Sequence, residues 1–244
     1  MSLLLMIIGA VLVAVLLAFA IVKYLPLNFR WIPSIILLVI AVFLGFKIYG
    51  GIMEPIQFNK EKVKKYSPVV ENLKMIRDGE IKFYEKYGSY TNNKELLIAF
   101  IEQAKLAITE TRTIVEKENR GGGIIVDVER RVTDTIGYEP VLKYFEGRDY
   151  KNMFKVPGVE GIEFELEVAK VEKVQGLIVP TFMAKTSKTA ILAGMNESLV
   201  KQELEAIETD QIKGEYVSVG SLDEVTTGGN WPPSYDKPSE KKQQ

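Results

Sequence analysis

The chain has 244 residues, with 31 basic and 32 acidic side chains, no cysteine and no histidine. Without cysteine or histidine it can form no disulfide, no thiolate or imidazole metal site, and no Ser-His-Asp or Cys-His catalytic centre. Three of the 31 basic residues and none of the 32 acidic residues precede Glu54, which leaves a net charge of about −4 on the remainder. That charge is not the basic footprint of a nucleic-acid-binding protein, so no nucleic acid is expected as a partner.

Two long apolar runs precede Glu54. Residues 3–22 carry no charge, and residues 32–52 are interrupted only by Lys47. About 20 apolar residues in a helix cross a hydrocarbon core of about 30 Å. The sequence therefore predicts a transmembrane helical hairpin over residues 1–52, with the lipid bilayer as a partner. Cleavage of the first run stays open, because Leu-Ala-Phe-Ala at 17–20 has cleavage-like spacing, although a basic leader region is lacking.

The side of the membrane is ambiguous. Basic residues close to a span tend to remain in the cytoplasm. The connector contributes Lys23 and Arg30, while the lysines after the second run are more numerous: Lys47, Lys60, Lys62, Lys64 and Lys65. This count favours a cytoplasmic head, but the N-terminus has no basic side chain that would keep it inside.

Residues 53–104 are predicted as a juxtamembrane helical stem. Ser67-Pro68 is a helix-start signal, and Asn92 or Asn93 can cap a second helix. The apolar positions recur at helical spacing: Val69, Leu73, Ile76, Phe83 and Tyr87 in the first helix, and Leu96, Leu97, Phe100 and Ile101 in the second. Glu80 falls on the first stripe and is expected at its solvent-exposed edge, with a buried functional carboxylate as the alternative.

Residues 105–231 are predicted as a mainly antiparallel β head. Strands are expected at 106–118 and 124–132, around the sequence Asn-Arg-Gly-Gly-Gly, and in a hairpin of 162–174 with 177–185 joined at Gln175-Gly176. The glycine-rich stretch lacks a phosphate-loop pattern leading into a helix, so a hairpin turn is favoured. Pro180 predicts an edge strand or an outward-facing nitrogen.

The rest of the head completes an α+β fold class. A bridge that is helical or irregular is expected near 149–153, a third helix over 196–209 capped by Asn196, and a last strand from Glu215 to about Leu222. Residues 232–244 are polar and predicted to be a disordered tail.

Three glutamates suggest one catalytic hypothesis. Glu163, Glu165 and Glu167 alternate with apolar residues, so their side chains share one face of a strand at roughly 7 Å spacing. Glycosidases use two carboxylates at about 5–9 Å. Strict alternation is, however, also what a one-sided sheet produces on its wet face. No catalytic, cofactor-binding or metal residue is therefore assigned, and no small-molecule substrate is identified.

Five segments carry a resemblance to known proteins: Ile52-Met-Glu-Pro-Ile-Gln-Phe-Asn-Lys-Glu-Lys, Val70-Glu-Asn-Leu-Lys-Met-Ile-Arg, Tyr87-Gly-Ser-Tyr-Thr, Val217-Ser-Val-Gly-Ser-Leu and Gly229-Asn-Trp. Together they resemble a family of uncharacterised membrane-anchored proteins of Bacteroidota. The resemblance implies no known activity. It implies a single span, which makes residues 3–22 an addition, and a periplasmic head, which opposes the lysine count.

The order of elements is also similar to that of type IV pilins and pseudopilins: an apolar N-terminal helix, a helix ending in Tyr-Gly-Ser-Tyr, then hairpins. The chain departs from them because it lacks the Gly-Phe-Thr-Leu-Ile-Glu processing sequence and any glutamate within either run.

These observations predict a multi-pass inner-membrane protein that is a non-enzymatic scaffold of a cell-envelope assembly. Its expected partners are other envelope proteins or further copies of itself. The alternative is a membrane-tethered hydrolase using Glu163, Glu165 or Glu167, which would need a pocket holding carboxylates of raised pKa.

Overall fold

The structure is a computed structural model that describes residues 8–9, 12–16, 18–19, 23, 26, 31–120, 122, 125–205 and 211–236. The chain divides into two compact units, residues 1–59 and residues 60–244. Most of the predicted first span, residues 3–22, lies outside the described residues, as does residue 237 onward of the predicted tail. Residues 60–104, assigned above to a stem, belong to the same compact unit as the β-rich residues.

Helix α1, Trp31–Tyr87, is 57 residues long. The apolar side chains of its first part are exposed, as Leu38 and Phe46 illustrate. Within the described residues, α1 is the one helix that is long and apolar enough to cross a membrane. The second predicted span is therefore a helix with an apolar surface of the required length.

The expected helix start at Ser67-Pro68 is wrong, because α1 continues through both residues. Ser67 Oγ donates a 2.8 Å hydrogen bond to the carbonyl oxygen of Val63. A proline inside a helix costs about 3 kcal/mol. Burial outweighs that cost here, since Val69, Val70 and Leu73 directly after the proline are completely buried.

Helix α2, Lys94–Gln103, begins as the sequence predicts. The side-chain oxygen of Asn93 accepts a 2.9 Å hydrogen bond from the Leu96 backbone N–H. Leu97, Phe100 and Ile101 are buried, whereas Leu96, expected on the same stripe, is half exposed.

Two antiparallel strands follow and form a separate two-stranded sheet. They are β1, Lys105–Asn119, and β2, Ile125–Pro140. Strand β1 extends slightly beyond the predicted strand 106–118 at both ends. Strand β2 begins next to the predicted start at 124 and continues past the predicted end at 132. The register shifts once, between Ile108 and Thr109. We call β1 and β2 together the ribbon. Residues 121, 123 and 124 of its predicted turn lie outside the described residues.

The second sheet has three antiparallel strands in the order β3-β4-β5: β3, Glu165–Val174; β4, Leu177–Ser187; and β5, Tyr216–Gly220. The predicted turn at Gln175-Gly176 is confirmed, and Gly176 has a φ of 85°. Pro180 lies in the central strand, but β5 pairs only with Met183–Ser187, so the edge next to Pro180 is unoccupied in the described sheet. The edge prediction thus holds locally, although not for the whole strand.

Short elements connect these parts. Residues Val141–Phe145, Tyr150–Asn152 and Pro233–Tyr235 form 3-10 turns, and the helices are α3, Lys188–Ile191, and α4, Glu197–Leu204. Asn196 caps α4 as predicted, with its side-chain oxygen accepting from the N–H groups of Ser198 and Leu199. The architecture is α+β, with the core of the second unit formed by α1, α2 and the three-stranded sheet. Its completely buried side chains include Leu73, Ile76, Leu97, Ile101, Phe164, Phe182, Val217 and Val219.

Candidate functional site

The three glutamates of the hydrolase hypothesis lie at the surface and pair with lysines. Glu163 Oε2 accepts a 2.8 Å hydrogen bond from Lys94, which holds the pKa of that carboxyl below its usual range. Lys185 Nζ lies 2.7 Å from Glu167 Oε1 and 3.5 Å from Glu165 Oε2. The structure thus brings Glu165 and Glu167 together around one lysine. This exposed, lysine-paired arrangement differs from that of carboxylate general acids, which lie in apolar surroundings that raise their pKa.

Glu80, expected at a solvent-exposed edge, is completely buried, so that expectation is wrong. Its Oε2 accepts a 3.1 Å hydrogen bond from the Thr91 backbone N–H, and Oε1 has no hydrogen-bond partner among the described residues. Burial raises the pKa of Glu80 to about 8, and the Thr91 N–H opposes the shift. The carboxyl is therefore mainly protonated at neutral pH. Its hydrogen bond to the Thr91 N–H connects α1 to the loop before α2.

A second buried group of ionisable side chains surrounds Glu203. Lys62 Nζ donates a 2.8 Å hydrogen bond to Glu203 Oε2, and Lys188 Nζ donates to the backbone oxygens of Glu203 and Ile212. Burial lowers the pKa of Lys188, and nearby Glu203 opposes that shift. The group ties α1, α3 and α4 together.

Two tyrosines lie beside this buried group. The rings of Tyr66 and Tyr235 pack edge to face with centroids 6.5 Å apart. Burial, with a further contribution from Glu203, raises the pKa of Tyr66 and raises that of Tyr235 to about 12. Both phenols are therefore neutral, which suits a structural role better than proton transfer at neutral pH.

The sequence did not indicate the Glu203 group. Helix α4 does not bury the apolar side chains of the predicted third helix. Its buried residue is Glu203, while Leu199 and Leu204 are only partly covered and Ile207 lies outside the described residues. Lys62 and Glu203 are separated by 141 residues, so no local pattern could have paired them.

A cleft of about 480 Å³ lies at the C-terminal end of α1. Phe83 and Phe100 pack edge to face beneath it with centroids 5.1 Å apart. Its lining is mainly apolar: Phe83, Lys86, Tyr87, Leu96, Ala99, Phe100, Gln103 and Ala104. Its lining includes the polar side chains of Lys86, Tyr87 and Gln103 but no carboxylate, so this cleft lacks the acid–base pair that hydrolysis by carboxylates requires.

The ribbon presents a different kind of surface. In the described residues its strands pair in a ladder only with each other, and most of the side chains along it are exposed. One face is rich in threonine, where the Thr111 and Thr133 hydroxyls lie 3.1 Å apart. The opposite face carries aliphatic side chains between charged ones: Leu106, Ile108, Ile114, Val126, Val128 and Val132.

Ion pairs on that aliphatic face cross between the strands. Arg112 lies 2.8 Å from Asp134, and Arg130 lies 3.5 Å from Glu116. Glu110 is directly opposite Asp134 in the register, so two carboxylates share one position of the ladder. Like charges opposite each other destabilise a strand pair. Arg112 therefore compensates Asp134, while Glu110 has no ion-pair partner in the described part of the chain.

Comparisons with known proteins assign no function to the ribbon, the cleft or the buried groups. No family model matches the chain, and no curated protein or solved structure matches it either.

Proposed function

We propose that this chain is a membrane-anchored, non-enzymatic scaffold of the cell envelope whose head binds other proteins through the ribbon. The ribbon is the observation that carries the proposal. A two-stranded hairpin is at best marginally stable in water by itself. Each strand here has at least 15 residues, or about 50 Å of extended chain, with aliphatic side chains left exposed. An exposed surface of this kind favours docking of a partner.

The anchor in this proposal is a helical hairpin in the inner membrane. The apolar surface of α1 supports one span, and the uncharged run at 3–22 supports a second. We place the head in the periplasm, following the resemblance to one-span proteins of Bacteroidota. Paired fusions of alkaline phosphatase and a fluorescent protein after Gln244 test this placement. Phosphatase activity supports a periplasmic head, and fluorescence without phosphatase activity contradicts it.

A pseudopilin-like layout is part of the same proposal. The first part of α1 is apolar and exposed, and residues of its last part are buried in the head core. This order along the chain supports the resemblance to pilins. The absence of the pilin processing sequence sets the chain apart, so the proposed role is docking in an assembly and not pilin-type processing.

The alternative function, a membrane-tethered hydrolase, has less support. It relies on Glu163, Glu165 or Glu167, which lie at the surface in ion pairs with Lys94 and Lys185. The mainly apolar cleft at the end of α1 lacks the carboxylates that would be needed.

Site-specific photo-crosslinking in native membranes tests the scaffold proposal. A photoreactive phenylalanine analogue replaces Tyr138 or Val115 on the ribbon, which are 70% and 60% exposed, or Tyr216 on β5 as a control at 45%. We expect discrete protein adducts from the two ribbon positions and none from the control. Equal adduct patterns at all three positions, or none on the ribbon, would contradict the proposal.

A further inference from the structure

The free edge of β1 has a self-complementary sequence. Residues 107–115 read Ala-Ile-Thr-Glu-Thr-Arg-Thr-Ile-Val, which is nearly symmetric about Thr111. In the described sheet one edge of β1 is hydrogen-bonded to β2 and its other edge pairs with no strand. The segment contains no proline or glycine and no register shift after Thr109. It therefore lacks several devices by which proteins protect an exposed strand edge.

We propose that two copies of this chain pair through this edge of β1, antiparallel and centred on Thr111, to form a four-stranded sheet with the order β2-β1-β1-β2. The inference rests on the proposed function, because it names a second copy as one partner of the ribbon. Such a contact is two-fold symmetric, so each cross-strand pair away from the centre occurs twice.

The side chains that this register places opposite each other match in size and chemistry. Ile108 lies opposite Ile114 of the second copy, and Thr109 lies opposite Thr113. Aliphatic pairs and threonine pairs across an antiparallel ladder are stabilising. The isoleucines belong to the aliphatic face of the ribbon, so the pairing joins the aliphatic faces of two ribbons into one continuous surface.

The charges favour the same register. It places Glu110 of one copy opposite Arg112 of the other, twice. Glu110 is the carboxylate that faces Asp134 within its own ribbon and has no ion-pair partner in the described residues. The second copy would thus supply the missing cation, and Arg112 can contact both carboxylates because its side chain is 66% exposed.

Neighbouring registers are worse. In an antiparallel pair, residues opposite each other point to the same face of the sheet. The two-fold axis between two copies of β1 must therefore pass beside a residue and not between two residues. Centring on Glu110 or on Arg112 would place that residue opposite its own copy. Centring on Thr113 would place Glu110 opposite Glu116. Each of these registers sets like charges against each other. The register centred on Thr111 has no such pair within 107–115, and its like-charged pair, Lys105 opposite Lys117, lies at the ends of β1.

The absence of cysteine in the chain makes cross-linking a clean test. Opposite residues of an antiparallel pair have Cα atoms about 4.5–5.5 Å apart, within disulfide range. Full-length Thr111→Cys in nanodiscs should therefore form a disulfide dimer under mild oxidation. Thr113→Cys alone should not, because its copies are four residues out of register, and Thr133→Cys on β2 should not either. A mixture of Thr109→Cys and Thr113→Cys chains should again cross-link.

Charge reversal provides a second, independent readout in the same full-length protein. Glu110→Arg or Arg112→Glu should each raise the dimer dissociation constant by roughly tenfold or more, since two attractive pairs become repulsive. The double variant carrying both changes should recover dimerisation. Loss without recovery in the double variant would overturn the register, as would equal cross-linking at 111, 113 and 133.

The two proposals fail differently. A monomeric full-length chain that gives no Thr111→Cys disulfide, but still forms ribbon photo-adducts with other proteins, overturns the dimer and keeps the scaffold. A ribbon that yields neither photo-adducts nor disulfides overturns both.

Discussion

Lys62 Nζ donates a 2.8 Å hydrogen bond to Glu203 Oε2, although 141 residues separate them, and both side chains are more than nine-tenths buried. Lys188 approaches the same carboxylate, with its Nζ 3.9 Å from Glu203 Oε1. Two cations therefore share one buried anion. Glu203 thus links Lys62 of α1 and Lys188 of α3 to α4.

Glu203→Gln should lower the free energy of unfolding by about 3–5 kcal/mol, since it removes the buried carboxylate that Lys62 and Lys188 share. The measurement is denaturant unfolding of the full chain in detergent, followed by the fluorescence of the buried Trp231. Glu205→Gln, an exposed neighbour, should change stability by less than about 0.5 kcal/mol. A loss from Glu203→Gln no larger than that of the control would contradict the assignment.

The buried Glu80 should make the stability of the protein decrease as the pH rises, which is the opposite of the effect of an ion-paired acid. The folded pKa of Glu80, about 8, lies above the ordinary glutamate pKa of 4.5, so between these values the folded state binds one more proton than the unfolded state. Stability is then fully present below pH 4.5 and falls by up to about 1.4 kcal/mol per pH unit until the folded pKa is passed.

Glu80→Gln should remove most of that slope between pH 5 and pH 8, because an amide does not ionise. Unfolding of both proteins across this range measures the difference, with Glu85→Gln on the exposed side of α1 as the control. Parallel stability curves for the native chain and Glu80→Gln would argue against a buried, protonated Glu80.

Position 220 should tolerate only glycine, for a steric reason. Gly220 has a φ of 76°, and a Cβ built there would collide with the carbonyl oxygen of Phe182 on the neighbouring strand. Gly176 has a φ of 85° with open space around it. Gly176→Ala should therefore cost only the conformational strain of about 1–2 kcal/mol, and Gly220→Ala clearly more. Equal losses in thermal unfolding would show that β5 can shift to make room.

The sequence predicted the features that depend on neighbouring residues. The turn at Gln175-Gly176 and the caps at Asn93 and Asn196 follow from local chemistry, and all three are present. The helix start at Ser67-Pro68 failed because the local proline signal competes with burial of Val69, Val70 and Leu73, which only the tertiary structure reveals.

The interior polar groups could not be predicted for the same reason. Both are buried: Glu80 is bonded to the loop before α2, and Glu203 to Lys62, which is 141 residues away. The complementarity within 107–115 can be read directly from the sequence. It indicates pairing between copies only because one edge of β1 has no partner strand in the described sheet.

Substitution of the surface glutamates should leave the stability of the protein almost unchanged. Glu165→Gln and Glu167→Gln each remove one carboxylate from an exposed pair with Lys185. Exposed ion pairs contribute about 0–1 kcal/mol, so the free energy of unfolding should change by less than that. Association measured by cross-linking should not change. A hydrolytic activity of the full chain that either substitution abolishes would instead support the alternative function.

Amide hydrogen exchange of the ribbon tests the central claim most directly. It compares β1 residues 106–116 in native membranes with the same residues in the purified full chain at high dilution. A docked ribbon predicts β1 amides that exchange at least about tenfold more slowly in membranes, since partner backbone groups occupy the free edge. Equally fast exchange of this segment in both preparations would contradict the account of the ribbon as an interaction surface.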